Sequence, residues 1–106
     1  MERNVCVVAG GMSKWGVRDG SQRDFFQEAA KACYDDNPLM NPKDIDGLLV
    51  ASAYTERTSY QTHLAPLVAE YAGIKPKNIC ARVELLCASG SSAIILAFAM
   101  IKSGQA

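Results

Sequence analysis

The sequence predicts an α/β layered sandwich with a mostly parallel sheet and a buried central helix. Two observations carry this expectation. Short apolar runs alternate three times with segments of helical periodicity, the pattern of strands joined by crossover helices. The last helical segment, residues 93–101, has no polar face, so it needs cover on every side, as the middle layer of such a sandwich does.

Taken in order, residues 4–9 form a β-branched, apolar run that ends at Gly10 and Gly11. A continuous apolar run bounded by glycines reads as a strand buried on both faces. A polar loop over residues 13–20 carries Trp15 as its expected anchor. Ser21, with Asp24 three residues later, forms an N-cap and capping-box pair. Behind it Phe25, Phe26, Ala29, Ala32 and Cys33 recur at helical spacing, and Asn37 followed by Pro38 stops that helix. The turn residues 41–44 lead to a short strand, Leu48 to Ala51, and then to a polar loop over residues 52–60. Leu64, Leu67, Val68 and Tyr71 stand at i, i+3, i+4 and i+7, an amphipathic helix closed by Gly73 with Pro76 just beyond. A third strand is expected over residues 79–86, and a helix over residues 88–102 with Lys102 in its last turn and Gly104 after it. Phe25, Phe26 and Tyr71 read as core, as do Cys6, Cys33 and Cys80; Lys75 and Lys77 read as solvated.

Composition narrows the function classes. Eleven Lys and Arg balance eleven Asp and Glu, so the chain lacks the basic excess needed to bind nucleic acid or an anionic membrane surface. The longest apolar run has nine residues, whereas a membrane span takes about 20. The opening Met1-Glu2-Arg3-Asn4 lacks the layout of a signal peptide. A soluble, cytoplasmic protein with no nucleic-acid or membrane partner is therefore expected. The four cysteines, Cys6, Cys33, Cys80 and Cys87, could pair in three ways but are expected as free thiols in a reducing compartment. There is no Cys-x-x-Cys and His63 is the only histidine, so no metal site is expected. Gly10, Gly11 and Gly16 make no phosphate loop, because no Gly-Lys-Ser/Thr follows them. The 106 residues hold at most one domain. Because three strands and two helices cover only one side of the last helix, they look like part of something larger, and in isolation they are expected to be inactive and prone to associate.

One constellation carries chemistry. Cys87 stands where a strand meets the apolar helix, followed by the small residues Ala88, Ser89, Gly90, Ser91, Ser92 and Ala93. A helix N-terminus offers unpaired N–H groups and partial positive charge, which favour a thiolate. The small residues leave room for a thioester to approach. The strand-turn-helix placement follows the logic of a nucleophile elbow, although the G-x-S-x-G pattern is absent. A helix dipole contributes about 0.3–1 kcal/mol, at most ~2, so full activation calls for a neighbouring base. His63 reads as a half-exposed helix residue, and Arg57 and Lys14 are cations that could meet a phosphate but are not assigned to one.

The run Glu84-Leu85-Leu86-Cys87-Ala88-Ser89-Gly90-Ser91-Ser92-Ala93, with the apolar helix and the ending Lys102-Ser103-Gly104-Gln105-Ala106, resembles the nucleophile region of the thiolase superfamily. It is most similar to the archaeal and sterol-carrier-type acetyl-CoA acetyltransferases. The stretches 43–50 and 5–11, with Trp15-Gly16, resemble the second-strand entry and the first strand and loop of that family. The resemblance implies that residues 1–106 are the amino-terminal part of a thiolase-like N-terminal domain, containing its first β-α-β-α-β-α part. It implies an acyltransferase that joins two acetyl-CoA molecules into acetoacetyl-CoA through an acyl group held on Cys87, or cleaves that product. Coenzyme A enters as the substrate thioester, with no further cofactor. The resemblance also implies a homo-oligomer in the mevalonate pathway and, for an archaeal member, hydroxymethylglutaryl-CoA synthase and a small bridging protein as partners. Many thiolases carry Asn three residues before the nucleophile, and here that position is Glu84. The family's catalytic histidines and second, acid/base cysteine fall beyond the nucleophile helix, so none is placed in this chain. The alternatives are another condensing enzyme of the superfamily, such as a hydroxymethylglutaryl-CoA or ketoacyl synthase, and a non-catalytic assembly subunit.

Overall fold

A computed structural model describes residues 3–106; Met1 and Glu2, on which the leader reading partly rests, lie outside the described residues. Two parallel strands, β1 (Leu48–Ala51) and β2 (Cys80–Val83), form the floor on which the other elements are placed. Their register pairs Leu48 with Cys80 and runs through to Ala51 with Val83. The ladder is extended at both ends by Leu48 N–H to the Ile79 carbonyl (2.7 Å) and Ser52 N–H to the Val83 carbonyl (3.2 Å). The helices are α1 (Gln22–Asp36), the single turn α2 (Thr55–Thr58), α3 (Leu64–Ala72) and α4 (Ser89–Ser103), with 3-10 turns at Pro42–Asp44 and Leu86–Ala88.

Side-chain alternation along β1 sets the layers. Val50 and Leu48 face α3, where Leu64, Ala65 and Val68 form a buried cluster with Phe26 and Cys80 packed against it. A second cluster, Ala69, Ala72 and Ile74, continues this core toward Ala30 and Ile45. Leu49 points the other way, into an apolar cleft shared with Ala93, Ile94 and Met100 of α4. The sheet is thus sandwiched between α3, backed by α1, and α4.

The helix ends obey local chemistry. Ser21 Oγ accepts from the Asp24 N–H (3.3 Å) and the Asp24 carboxylate accepts from the Ser21 N–H (2.8 Å), completing the expected capping box. Such a cap contributes about 1 kcal/mol, and the Ser21 N–H also holds the Asp24 carboxyl below its usual range. Gly73, at φ 71°, ends α3, and the Ile74 N–H closes back on the Ala69 carbonyl at 2.8 Å. This is the left-handed C-terminal turn for which glycine is suited. Gly104, at φ 81°, closes α4 in the same way, with Gln105 N–H on the Met100 carbonyl.

Four expectations are corrected. Residues 4–9 are not a strand: Val7 and Val8 are exposed, as is Cys6. Two backbone groups at the end of this run are bonded to polar side chains at the end of α1 rather than to a strand. Asn37 Nδ2 donates to the Val8 carbonyl (3.1 Å), and the Gly10 N–H donates to the Asp36 carboxylate (3.0 Å). At Gly11 the chain lies directly on α1, where a Cβ would stand 2.2 Å from the Cys33 nitrogen. Trp15 is 81% exposed rather than buried as an anchor; the loop is held by Arg18 and the Lys14 N–H, both bonded to the Glu28 carboxylate at 2.8 Å. The third strand is shorter than residues 79–86, because the chain turns sharply after Val83. Cys33 and Cys80 are half-buried, and Phe25 and Tyr71 are only partly covered, each with an arginine over its ring at 5.4 Å.

The helix without a polar face behaves as its composition requires on one side only. Ser89 and Ala93 are buried against the sheet, whereas Ile94 and Ile95 are 72% and 68% exposed and Phe98 is 50% exposed. The stretch Leu86–Ser103 is apolar enough by composition to cross a membrane, but it packs on both β1 and β2 in the manner of a layer of a globular domain.

Candidate active site

Because β1 and β2 run parallel, the segments that follow them leave the same edge of the sheet. In open α/β sheets this carboxyl edge is where ligand sites gather. The segment after β1 carries α2, and the segment after β2 carries Cys87.

The turn after β2 is built by backbone geometry that the sequence does not announce. Leu85 is extended in φ (−150°) and Leu86 then adopts φ +47°, in the left-handed region. A leucine held there costs on the order of 1–3 kcal/mol, and such strain persists only where neighbours over-determine it. Here they do. The Leu86 N–H donates to the Glu84 carboxylate, the Leu85 N–H donates to Ser89 Oγ (2.7 Å), and Ser89 Oγ donates to the Leu86 carbonyl (2.7 Å). The Ala88 N–H closes the 3-10 turn on the Leu85 carbonyl at 2.9 Å. Cys87 is the middle residue of that turn and is exposed.

Cys87 therefore stands two residues before α4 and not in its first turn, a small correction to the expected helix start at residue 88. Ala88 is the N-cap and offers no side-chain cap, and the first turn of α4 contains no acidic residue. The positive end of the helix is thus not quenched by a carboxylate on α4 itself. Gly90 has open space around it; among the described residues nothing lies within 4 Å of where a Cβ would be, so the approach past this residue is open.

Across the sheet edge, Arg82 of β2 fastens the segment after β1. Its Nε donates to the Ser52 carbonyl (3.1 Å) and its guanidinium meets the Glu56 carboxylate at 3.0 Å. The Glu56 carboxyl is held below its usual range by its own backbone N–H first, with the Arg82 hydrogen bond contributing. Tyr54 and Tyr60 flank α2 in left-handed conformations and are exposed. His63 is exposed at the N-cap of α3, its backbone N–H on Gln61 Oε1 (2.9 Å), and among the described residues no hydrogen bond joins it to Cys87. Arg57, Lys75 and Lys77 are exposed. Among the described residues no three His, Cys, Asp or Glu side chains are grouped to hold a metal ion, and all four cysteines are free thiols.

Sequence reasoning located Cys87 but missed the two features that shape its turn. Leu86 carried no signal, since leucine rarely adopts positive φ. Ser89 did carry one: a serine three residues after a turn residue can bond back to its carbonyl.

A family model described as "Thiolase, N-terminal domain" matches residues 5–106. The acetyl-CoA acetyltransferase of Methanocaldococcus jannaschii is 34% identical over 103 residues, which is 96% of this chain and 26% of that protein. The acetyl-CoA acetyltransferase of Methanothermobacter thermautotrophicus is 31% identical over 103 residues, with the same coverage of 96% and 26%. The chain thus spans about a quarter of the length of the curated relatives it matches.

Proposed function

Since this chain belongs to the thiolase N-terminal domain family, we propose that it supplies the acyl-carrying nucleophile, Cys87, of an acetyl-CoA acetyltransferase that condenses two acetyl-CoA molecules into acetoacetyl-CoA. The observation that carries this reading is an exposed thiol on a strained strand-to-helix turn, within the matched segment. The names of the two archaeal relatives support acetyl-CoA as the substrate.

The chemistry divides into two displacements at one carbonyl, each easier than the direct reaction. The Cys87 thiolate attacks the thioester carbon of acetyl-CoA, and a new carbon–sulfur bond forms as the carbonyl oxygen takes up negative charge. Collapse of that oxyanion breaks the bond to coenzyme A, which leaves as its thiolate and takes up a proton. A second acetyl-CoA then loses an α-proton to a base that this reading places outside residues 3–106. Its carbanion attacks the acetyl carbonyl, a carbon–carbon bond forms, and Cys87 departs as thiolate. N–H groups aimed at the developing oxyanions lower both barriers, and this reading places most of those donors outside residues 3–106. The same reading places the protein in the cytoplasm, as a homo-oligomer in the mevalonate pathway.

The test uses the complete polypeptide. Cys87→Ser is expected to lower condensation about a thousandfold or more, as loss of a nucleophile does, and to abolish the acetyl adduct seen by mass spectrometry after mixing with acetyl-CoA. Cys6 is exposed too, so its iodoacetamide labelling rate is a control for accessibility. Labelling of Cys87 no faster than Cys6 at pH 7, or a Cys87→Ser protein that condenses at the native rate, overturns the reading.

A further inference from the structure

We propose that Ser89 is the positioning residue of this site: its hydroxyl clamps the left-handed turn at Leu86 and so fixes where the Cys87 sulfur is presented to the acyl thioester. This rests on the reading of Cys87 as the nucleophile. The geometry is reciprocal. Ser89 Oγ accepts from the Leu85 N–H and donates to the Leu86 carbonyl, each at 2.7 Å, so one side chain spans the strained peptide from both sides. The side chain is 5% exposed, and its only proton is committed to the Leu86 carbonyl. That distinguishes it from Ser91, which is exposed, and Ser92, which is half-buried. A hydroxyl held this way is not free to act as a nucleophile or as a proton carrier; what remains for it is to set the backbone.

What it sets matters because of where the strain lies. Leu86 is the residue immediately before the thiol, and its φ of +47° is not one that leucine holds unaided. If the clamp is removed, Leu86 can relax toward negative φ, which rotates the peptide that carries Cys87. A misplacement of about 1 Å at a reacting atom can cost on the order of a hundredfold in rate. The Glu84 carboxylate completes the clamp from the strand side by accepting the Leu86 N–H. Glu84 is exposed, so altering it tests the same turn without disturbing a packed side chain.

The experiment measures single-turnover acetyl transfer from acetyl-CoA to Cys87, with steady-state kcat and KM, in the complete polypeptide. Ser89→Ala is expected to slow transfer by about 10- to 100-fold with KM within about threefold, because binding is left in place and the attack is misaligned. Ser89→Thr, which keeps the hydroxyl, is expected to recover most of the rate, and Glu84→Ala to slow transfer by about tenfold at an unchanged melting temperature. Transfer by Ser89→Ala within twofold of the native rate overturns the proposal. So does a loss seen only together with a collapsed melting temperature while Glu84→Ala transfers normally. Cys87→Ser run in parallel separates the two readings. If it is inactive while Ser89→Ala is native-like, only the positioning role falls; if it condenses at the native rate, the nucleophile falls and the positioning role with it.

Discussion

Replacing Arg82 by Met should loosen the segment after β1 far more than replacing its ionic partner Glu56 by Gln. Arg82 makes two contacts there, Nε to the Ser52 carbonyl at 3.1 Å and the guanidinium to Glu56 at 3.0 Å. The partners differ in solvent access: the Arg82 side chain is 16% exposed and that of Glu56 49%. A charged donor on a half-buried backbone carbonyl is worth about 1.5–3 kcal/mol. An ion pair whose acid is half in water is screened and contributes little. At 1.4 kcal/mol per decade, losing the carbonyl contact raises local opening by roughly 10- to 150-fold. Hydrogen exchange at the Thr58 and Ser59 amides, which close α2 on the Tyr54 and Thr55 carbonyls at 3.0 and 2.9 Å, reads that opening directly. We expect Arg82→Met to speed exchange there by that factor and Glu56→Gln by less than about threefold. Equal acceleration by the two variants would refute the reasoning, since the ion pair would then be what holds the loop.

Two further outcomes follow from the core and the charges. Leu64 is 0% exposed between β1 and α1, so Leu64→Ala should cost about 2–5 kcal/mol in urea unfolding, while Leu39→Ala, at a residue 93% exposed, should stay within about 0.5 kcal/mol; a cost below ~1 kcal/mol at Leu64 contradicts this core. The Glu28 carboxyl is held below its usual range, first by the Arg18 guanidinium and then by the Lys14 N–H. A carboxyl with a depressed folded-state pKa contributes stability that is fully present above its unfolded value, about 4.3, and is lost as the pH falls through the folded value. Melts across the acid range should therefore show a shallower loss for Glu28→Gln than for the native protein, and an unchanged slope contradicts the assignment.

Much of the site's framework was legible in the chain because it is fixed within a few residues. Ser21 and Asp24 cap α1 by touching each other, Gly73 and Gly104 end α3 and α4 by a local left-handed turn, and the i, i+3, i+4 spacing of Leu64, Leu67 and Val68 shows which face is apolar. Cys87 was legible for the same reason, as a thiol flanked by an apolar strand and a run of small residues.

The amino-terminal run was decided by contacts that no short window contains. Residues 4–9 are as apolar and β-branched as a buried strand, but a strand exists only where another supplies its hydrogen bonds, and here the Val8 carbonyl and the neighbouring Gly10 N–H are bonded to Asn37 and Asp36 at the end of α1. Likewise the hold of Arg82 on Ser52 arises from where β2 lies beside β1, whereas the left-handed Leu86 is held by its near neighbours Glu84 and Ser89 and went unannounced because leucine rarely adopts positive φ. The sequence by itself determined α1, α3 and α4, the capping box of α1 and the glycine stops of α3 and α4, since those depend on near neighbours. The tertiary structure alone decided which apolar run joins the sheet and how the segment after β1 is fastened, since strand partners and the Arg82 contact are supplied by chain that is distant in sequence.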